Sequence, residues 1–182
     1  AGIIRARDNE HLFGLMKAFA KQPLPKGDGV LVVTYTGSLG VAATDTLYLN
    51  GLRLADLEPE LKGRLERIIP DYVKTLNPVD YSFSMDPDQL ARTIEIGVES
   101  ADVGSFIVVI QGEILGSFVE VLKRIDTRGK PILCCVACKE FMMADVIQME
   151  QAGIPVYSTA EMAAEVLAAM YHYRVRRERR RS

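Results

Sequence analysis

The sequence predicts an α/β domain with a mostly parallel, five-stranded sheet and helices on both of its faces. Short apolar runs alternate along the chain with longer segments whose apolar residues recur at helical spacing. The connections between these segments are short, and no internal repeat interrupts the alternation. Because a crossover between parallel strands is right-handed, such a chain builds a flavodoxin-like or Rossmann-like three-layer sandwich.

Four elements are predicted in the first third of the chain. Apolar residues at three- and four-residue spacing predict a helix over residues 7–22. Residues 30–34, VLVVT, are a continuous apolar run, which is typical of a strand buried on both faces. A helix over 39–50 follows and ends at an Asn-Gly pair, which is a common helix C-cap. Residues 52–57 are then expected to form a short strand.

The alternation continues to the end of the chain. The predicted helices cover residues 59–69, 86–100, 115–126 and 139–151, the strands cover 105–110, 131–136 and 155–157, and Ser158 or Thr159 caps a final helix. The segment NPVDYSF is interpreted as irregular. The domain is therefore predicted over residues 28–173, after a helical lead-in over 1–27 and before a basic tail over 174–182.

Composition places the chain among globular proteins and argues against two kinds of partner. Of its 182 residues, 48% are apolar and 25% are charged. No apolar run approaches the roughly 18–20 residues of a membrane-spanning helix, and the first residues show no signal-peptide core. The tail carries six arginines against one glutamate, so the rest of the chain is net acidic and suits nucleic acid poorly. We expect a cytoplasmic protein with no membrane or nucleic-acid partner, and we interpret the tail as the solvated end of the last helix.

The three cysteines lie together in LCCVACKE, where Cys135 and Cys138 form a CxxC pair. A zinc site would need a second pair of ligands, and the two histidines, His11 and His172, lie near opposite ends of the sequence. We therefore expect no metal and interpret the cysteines as small apolar residues that complete a buried strand. A redox pair at the start of a helix is the alternative.

Candidate binding residues follow three of the predicted strands, in segments 35–40, 77–81 and 111–116. In an open α/β sheet, ligands bind beyond the carboxyl ends of the strands, where the strand order reverses. In the first segment, Gly37 and Gly40 allow positive φ angles or a close approach of the backbone, and Ser38 can cap the helix that follows. The free N–H groups at the start of that helix favour an anion.

We therefore predict a phosphate site formed by four consecutive residues, which are Gly37, Ser38, Leu39 and Gly40. The spacing matches neither the dinucleotide fingerprint nor a P-loop, and tight packing of strand against helix is the alternative role of the glycines. The supporting loop is expected to consist of Asn77, Asp80, Gln111 and Gly112.

The supporting residues leave two alternatives open. The Asn77 and Asp80 side chains can lock the turn or contact the ligand, and Asp80 can pair with Glu113 only if folding brings the two carboxylates together. No catalytic triad can be assembled, so we assign no catalytic residue and do not expect the chain alone to be a complete enzyme.

Three segments together resemble one protein family in order and spacing: GVLVVTYTGSLGVAATDTLYLNGLRLADL, LNPVDYSF and GIPVYSTAEMAAEVLAAMYHYR. They are similar to the C-terminal flavodoxin-like domain of NDP-forming acyl-CoA synthetases, the acetyl-CoA synthetase (ADP-forming) branch of the succinyl-CoA synthetase superfamily. The family pattern at the glycine turn is roughly Asn-Ala-Gly-Gly-Pro-Gly, and this chain has YTGSLG at residues 35–40.

The resemblance implies an acid–thiol ligase that converts acyl-CoA, phosphate and NDP to acid, CoA and NTP through a phosphorylated histidine. That histidine is expected on another flavodoxin-like domain, CoA on a Rossmann domain, and nucleotide with Mg²⁺ on an ATP-grasp domain, so no cofactor is assigned to this chain alone. These domains or subunits are its expected partners. By resemblance, residues 37–40 present a helix N-terminus to the phosphohistidine.

Two alternatives remain beside this interpretation. In the first alternative, the chain is a stand-alone binding or regulatory module of the same superfamily. In the second, it is a thiol enzyme that uses Cys135 or Cys138. The acyl group, the choice of ADP or GDP and the formation of a homo-oligomer are left open.

Overall fold

Helices cover both faces of a parallel sheet in the computed structural model, which describes residues 3–72, 77–111, 114–137 and 139–180. The helices within these ranges are α1 (Asn9–Lys21), α2 (Gly37–Leu49), α3 (Pro59–Leu65), α4 (Pro87–Glu99), α5 (Leu115–Arg124), α6 (Met143–Gln151) and α7 (Ala160–Arg179), with a 3₁₀ turn at Lys139–Met142. The strands are β1 (Gly29–Thr34), β2 (Arg53–Leu54), β3 (Val79–Asp80), β4 (Ser105–Gln111), β5 (Ile132–Ala137) and β6 (Val156–Tyr157). No helix in these ranges is long and apolar enough to cross a bilayer.

Five of the strands form the ordered path β2-β1-β4-β5-β6, and every pairing in it is parallel. This confirms the predicted sandwich, and with β3 set aside the order is that of the flavodoxin-like fold. The order reverses between β1 and β4, so the crevice beyond their carboxyl ends is the expected ligand position. The sixth strand, β3, also pairs with β1 and lies in the segment expected to be irregular. Two residues are too few to show the period-two alternation that identifies a strand.

The strands are continuously apolar because each one contributes to two cores. In β1, Leu31 and Val33 face a core shared with α3, α4, α5 and α6, whereas Val30 and Val32 face a core shared with α1, α2 and α7. All six residues of β1 are buried. The sheet is therefore fixed from both sides, and its carboxyl edge is a rigid base for the segments that leave it.

The last helix begins as predicted and continues into the basic tail. The Thr159 hydroxyl accepts a hydrogen bond from the Met162 N–H at 3.1 Å, so Thr159 is the N-cap. The helix runs to Arg179, and residues 176–180 are exposed. The positive side chains lie near the negative end of the helix dipole, where they are favourable.

The Asn77 side chain joins the sheet where β1 changes partner. One edge of β1 pairs with β2 at its start and with β3 at its end. Between these pairings, the Asn77 amide nitrogen donates to the carbonyl oxygens of Val30 (2.7 Å) and Ala55 (3.0 Å), and its oxygen accepts from the Val32 N–H at 3.0 Å. Asn77 is therefore a structural lock, one of the two roles expected for it.

We predict that Asn77→Ala lowers the free energy of unfolding by about 2–4 kcal/mol, because it removes the partners of three backbone groups in the sheet. Urea denaturation measures the change. Asn50→Ala is the matched control, since the Asn50 amide donates one exposed hydrogen bond to Thr46, and should cost under about 1 kcal/mol. Equal losses in the two variants would contradict the role of Asn77.

At the amino-terminal ends of β2 and β4, the carboxylate of Asp102 accepts two hydrogen bonds from the Arg53 guanidinium, at 2.7 and 2.5 Å. It also accepts from the Asp56 N–H at 2.7 Å. The hydrogen bonds from Arg53, with a smaller one from Asp56, lower the pKa of Asp102 from 3.8 to about 2 despite its partial burial. The pair ties β2 to the segment that precedes β4.

Asp102→Asn should lower the free energy of unfolding at pH 7 by about 1 kcal/mol, since water partly screens the ion pair. The pKa of Asp102 is depressed, so its stabilisation is complete above about pH 4 and is lost as the pH falls through about 2. Denaturation curves of the variant and the parent should converge over that interval. Asp56→Asn, whose carboxylate pairs with Lys62 but is 83% exposed, is the control and should change stability little. If the difference in free energy of unfolding between Asp102→Asn and the parent stayed constant down to pH 2, the stabilising role of the ionised Asp102 would be contradicted.

Candidate functional site

The start of α2 lies directly beyond the carboxyl end of β1. Thr36 is extended, with φ −133° and ψ 128°, and is the N-cap of the helix, although its side chain makes no capping hydrogen bond. The prediction that Ser38 caps this helix was wrong, because the helix begins at Gly37 and Ser38 lies exposed within its first turn. The first turn carries no acidic side chain. The N–H groups of Gly37, Ser38 and Leu39 have no partner inside the helix and favour an anion.

Gly37 and Gly40 are needed for close approach and not for a positive φ angle. A Cβ atom on Gly40 would lie 2.7 Å from Thr34 Cγ2, so α2 packs against the end of β1 only because that atom is missing. A Cβ atom on Gly37 would lie 2.6 Å from the Asp80 Oδ2 atom. The alternative that these glycines permit tight packing therefore holds, and it is compatible with an anion site at the same turn.

Asp80 is the supporting residue that folding brings to the α2 N-terminus. In the sheet, Thr34 pairs with Asp80 on one side and with Val109 on the other. The Asp80 Oδ1 atom accepts a hydrogen bond from the Ser82 N–H at 2.9 Å, which fixes the carboxylate. The sequence predicted Asp80 in the supporting loop, but its place beside Gly37 depends on the pairing of β3 with β1 and could not be predicted.

The backbone after β3 is strained. Ser82 and Phe83 both have positive φ angles, 46° and 67°, which are unusual for residues other than glycine. The Phe83 N–H donates to the Tyr35 carbonyl at 2.8 Å, and the two rings meet edge to face with centroids 5.5 Å apart. Phe83 is 63% exposed. An apolar rim therefore borders the start of α2.

Two of the other predicted supporting residues are described by the structure. The Asn77 side chain is directed to the backbone of β1 and of the segment after β2, and Gln111 is the last residue of β4, where it pairs with Ala137. Gly112 and Glu113 lie outside the described residues, so the proposed pairing of Glu113 with Asp80 stays a prediction.

The cysteines that the structure describes are buried. Cys134 faces one core and Cys135 the other, and burial raises the pKa of the Cys134 thiol well above its usual value. A buried thiol with a raised pKa is a poor nucleophile, which argues against a thiol enzyme based on these two residues. Cys138 lies outside the described residues.

The two histidines are close in space, although they are far apart in the sequence. His11 and His172 line the same cavity of about 370 Å³, together with Glu165. The His11 Nδ1 atom accepts from the Arg7 N–H at 3.2 Å, and the His172 Nε2 atom lies 2.7 Å from the Asn50 carbonyl oxygen. In the part of the chain that the structure describes, no group of three or more His, Cys, Asp or Glu residues is arranged to hold a metal ion.

A larger cavity, of about 510 Å³, lies between the C-terminal ends of α4 and α5. Both acidic and basic side chains line it, among them Glu95, Glu120 and Arg124. Helices in this fold run antiparallel to the strands, so this cavity lies toward the amino edge of the sheet, away from the start of α2. Its position gives no reason to prefer it over the strand-order reversal as a ligand site.

Comparison with known proteins agrees with the fold and names the family. Residues 30–180 match the family model of the Ligase-CoA domain. The ADP-forming acetate–CoA ligase II of Archaeoglobus fulgidus is 32% identical over 97% of this chain and 27% of its own length. The alpha subunit of the ADP-forming acetate–CoA ligase II of Pyrococcus furiosus is 27% identical over 94% of this chain and 38% of its own length.

A solved structure shares the architecture at a similar level of identity. The dinucleotide-forming acetyl-coenzyme A synthetase 1 of Ca. Korarchaeum cryptofilum, in complex with phosphate and ADP, superimposes with a TM-score of 0.83 at 25% identity. The match covers 97% of this chain and 39% of that chain. The chain thus spans between about a quarter and two fifths of the length of these relatives. On its sequence and its fold together, the chain belongs to the Ligase-CoA domain family.

Proposed function

We propose that this chain is one domain of a cytoplasmic, NDP-forming acyl-CoA synthetase. The complete enzyme converts acyl-CoA, phosphate and NDP to acid, CoA and NTP, and a histidine on another domain carries the phosphoryl group. The ADP-forming acetate–CoA ligases among the relatives support this reaction. The single observation that carries the role of this chain is the start of α2, whose first-turn N–H groups lie beyond β1 where the strand order reverses.

The contribution of this domain is electrostatic. A phosphoryl group carries nearly two negative charges at neutral pH, and a helix N-terminus stabilises an adjacent anion by about 0.3–2 kcal/mol. That amount is useful in a transfer site but does not replace a nucleophile or a metal ion. We assign CoA, the nucleotide and Mg²⁺ to other domains, which the greater length of the relatives can accommodate.

The exposed face of α2 carries apolar side chains, which is evidence that another domain covers it. Val41, Tyr48 and Leu49 are 55%, 57% and 86% exposed, and the helix carries one charged residue, Asp45. A surface helix normally presents charged and polar side chains to water, whereas a helix that is apolar all round is usually buried. We infer that a neighbouring domain or subunit covers α2 and carries the phosphohistidine to its N-terminus.

Gly40→Val in the complete enzyme should reduce the steady-state phosphoenzyme at least about tenfold, because the new side chain would push α2 away from Thr34. The measurement is the acid-labile ³²P label that the protein retains after exposure to labelled NTP. Gly63→Val is the control, since a Cβ atom there meets nothing within 4 Å. Phosphoenzyme at the parental level in folded Gly40→Val would contradict the proposal and favour the stand-alone binding module.

The double variant Tyr48→Lys with Leu49→Lys should weaken binding of this chain to the remaining domains at least about tenfold, since it places two charges on the outer face of α2. Binding is measured by calorimetry, with the other domains supplied as a separate polypeptide. The thermal midpoint of the isolated chain should change little. Ile147→Lys is the control, because Ile147 is also 49% exposed but lies on α6, across the sheet. Unchanged affinity would place the covering domain elsewhere.

A further inference from the structure

We propose that the cavity lined by His11 and His172 is a second ligand site, which binds a small phosphorylated molecule that also carries a hydroxyl group. Its volume of about 370 Å³ is within the range of small-molecule pockets, about 300–1,000 Å³. Asn50, which directly follows α2, forms part of its wall, so the 13-residue helix, roughly 20 Å long, separates it from Gly37. The inference therefore goes beyond the proposed function and does not depend on it.

The cavity lies between the segment that precedes α1 and one face of α7. Ile4, in the first of these walls, packs against the core shared with α1, α2 and α7, which holds that segment in place. The second wall consists of α7 residues at helical spacing, namely Glu165, Ala168, Ala169, His172 and Arg176. The two alanines are small and leave the space that the cavity occupies. Both walls are thus part of the folded domain.

Positive charge predominates in this cavity. Its lining includes Arg5, Arg7 and Arg176, and the one acidic residue among the lining residues is Glu165. The Arg7 guanidinium donates to the Glu165 carboxylate at 2.7 Å, which neutralises it. Among the residues that the structure describes, Arg5 and Arg176 form no ion pair. Two guanidinium groups therefore remain to bind a phosphoryl group, whose oxygens match their paired N–H donors.

Unsatisfied polar atoms belong to two of the same lining residues. The His11 Nδ1 atom accepts from the Arg7 N–H at 3.2 Å, so the ring proton is on Nε2, and this buried donor has no partner in the described part of the chain. The second oxygen of Glu165, Oε2, is also buried and has no described partner. Such atoms are normally satisfied by a bound molecule or an ordered water. A phosphoryl oxygen would accept from His11, and a hydroxyl group of the same ligand would donate to Glu165.

The test is a titration of the 182-residue chain with glycerol 3-phosphate in about 0.15 M salt, where a Debye length of about 8 Å limits non-specific attraction to the exposed arginines. The chain has two histidines and both line the cavity, so their imidazole ¹H resonances report its occupancy. We expect both resonances to shift saturably, with a dissociation constant below about 1 mM. Glycerol, which lacks the phosphoryl group, should cause no saturable shift.

Arg176→Gln should weaken binding of glycerol 3-phosphate at least about tenfold, because it removes a charged donor to the phosphoryl group. Arg5→Gln should weaken it in the same direction. Both side chains are exposed, so the fold should be retained. The matched control is Arg177→Gln, which removes an equal charge from the next residue of α7 but does not alter the lining of the cavity. Its affinity should stay within about twofold of the parent, since the charge it removes is screened by water and salt.

The role of the hydroxyl group has its own comparison. Ethyl phosphate carries the phosphoryl group without hydroxyls, so it should bind more weakly than glycerol 3-phosphate, because it leaves the Glu165 oxygen unpaired. Equal affinity for the two phosphates would overturn the assignment of Glu165.

The site itself is overturned if neither histidine resonance shifts saturably with glycerol 3-phosphate, if glycerol shifts them equally, or if Arg177→Gln weakens binding as much as Arg176→Gln. A phosphate bound only at the start of α2 would lie roughly 20 Å away and leave both histidine resonances unchanged. The result is therefore separate from the phosphoenzyme assay of Gly40→Val.

Discussion

The Asn77 amide is the contact on which the geometry of the candidate site depends. The strands β2 and β3 have two residues each, and they pair with different ends of the same edge of β1. Asn77 occupies the interval between them and bonds to backbone groups of β1 and of the segment after β2. The residues immediately after Asn77 therefore enter the sheet in one register, which places Asp80 beside Thr34 and hence beside Gly37. A shift of one residue would direct Asp80 to the other face of the sheet.

The charges at the start of α2 oppose one another. A helix N-terminus offers an anion about 0.3–2 kcal/mol. The Asp80 carboxylate beside the same turn acts against that attraction, and water screens the repulsion between exposed charges. The apolar rim formed by Tyr35 and Phe83 borders this turn.

The sequence predicted those features that depend on local pattern and missed those that depend on contacts between distant segments. The runs at 30–34 and 105–110 identified β1 and β4, because a strand buried on both faces must be apolar throughout. The strand β3 was missed, since its two residues show no alternation and it exists only through pairing with β1. The cap of α2 was placed at Ser38 because serine is a frequent cap, whereas the close approach allowed by Gly37 and Gly40 lets the helix begin earlier. The carboxylate beside Gly37 and the common cavity of the two histidines required the tertiary fold.

In α2, different residues determine the packing against β1, the position of a charge at the first turn and the apolar outer surface. The contribution of each can therefore be measured separately. Gly40 allows the helix to pack closely against β1, and the absence of a side chain at Gly37 leaves room for the Asp80 carboxylate. Tyr48 and Leu49, more than two turns further along, face outward and contribute little to either core. A change at Gly40 therefore moves the N–H groups and destabilises the domain together, whereas a change at Leu49 leaves both in place and removes only an apolar surface. Both cores close without that surface, so its apolar side chains are available for a contact outside the domain.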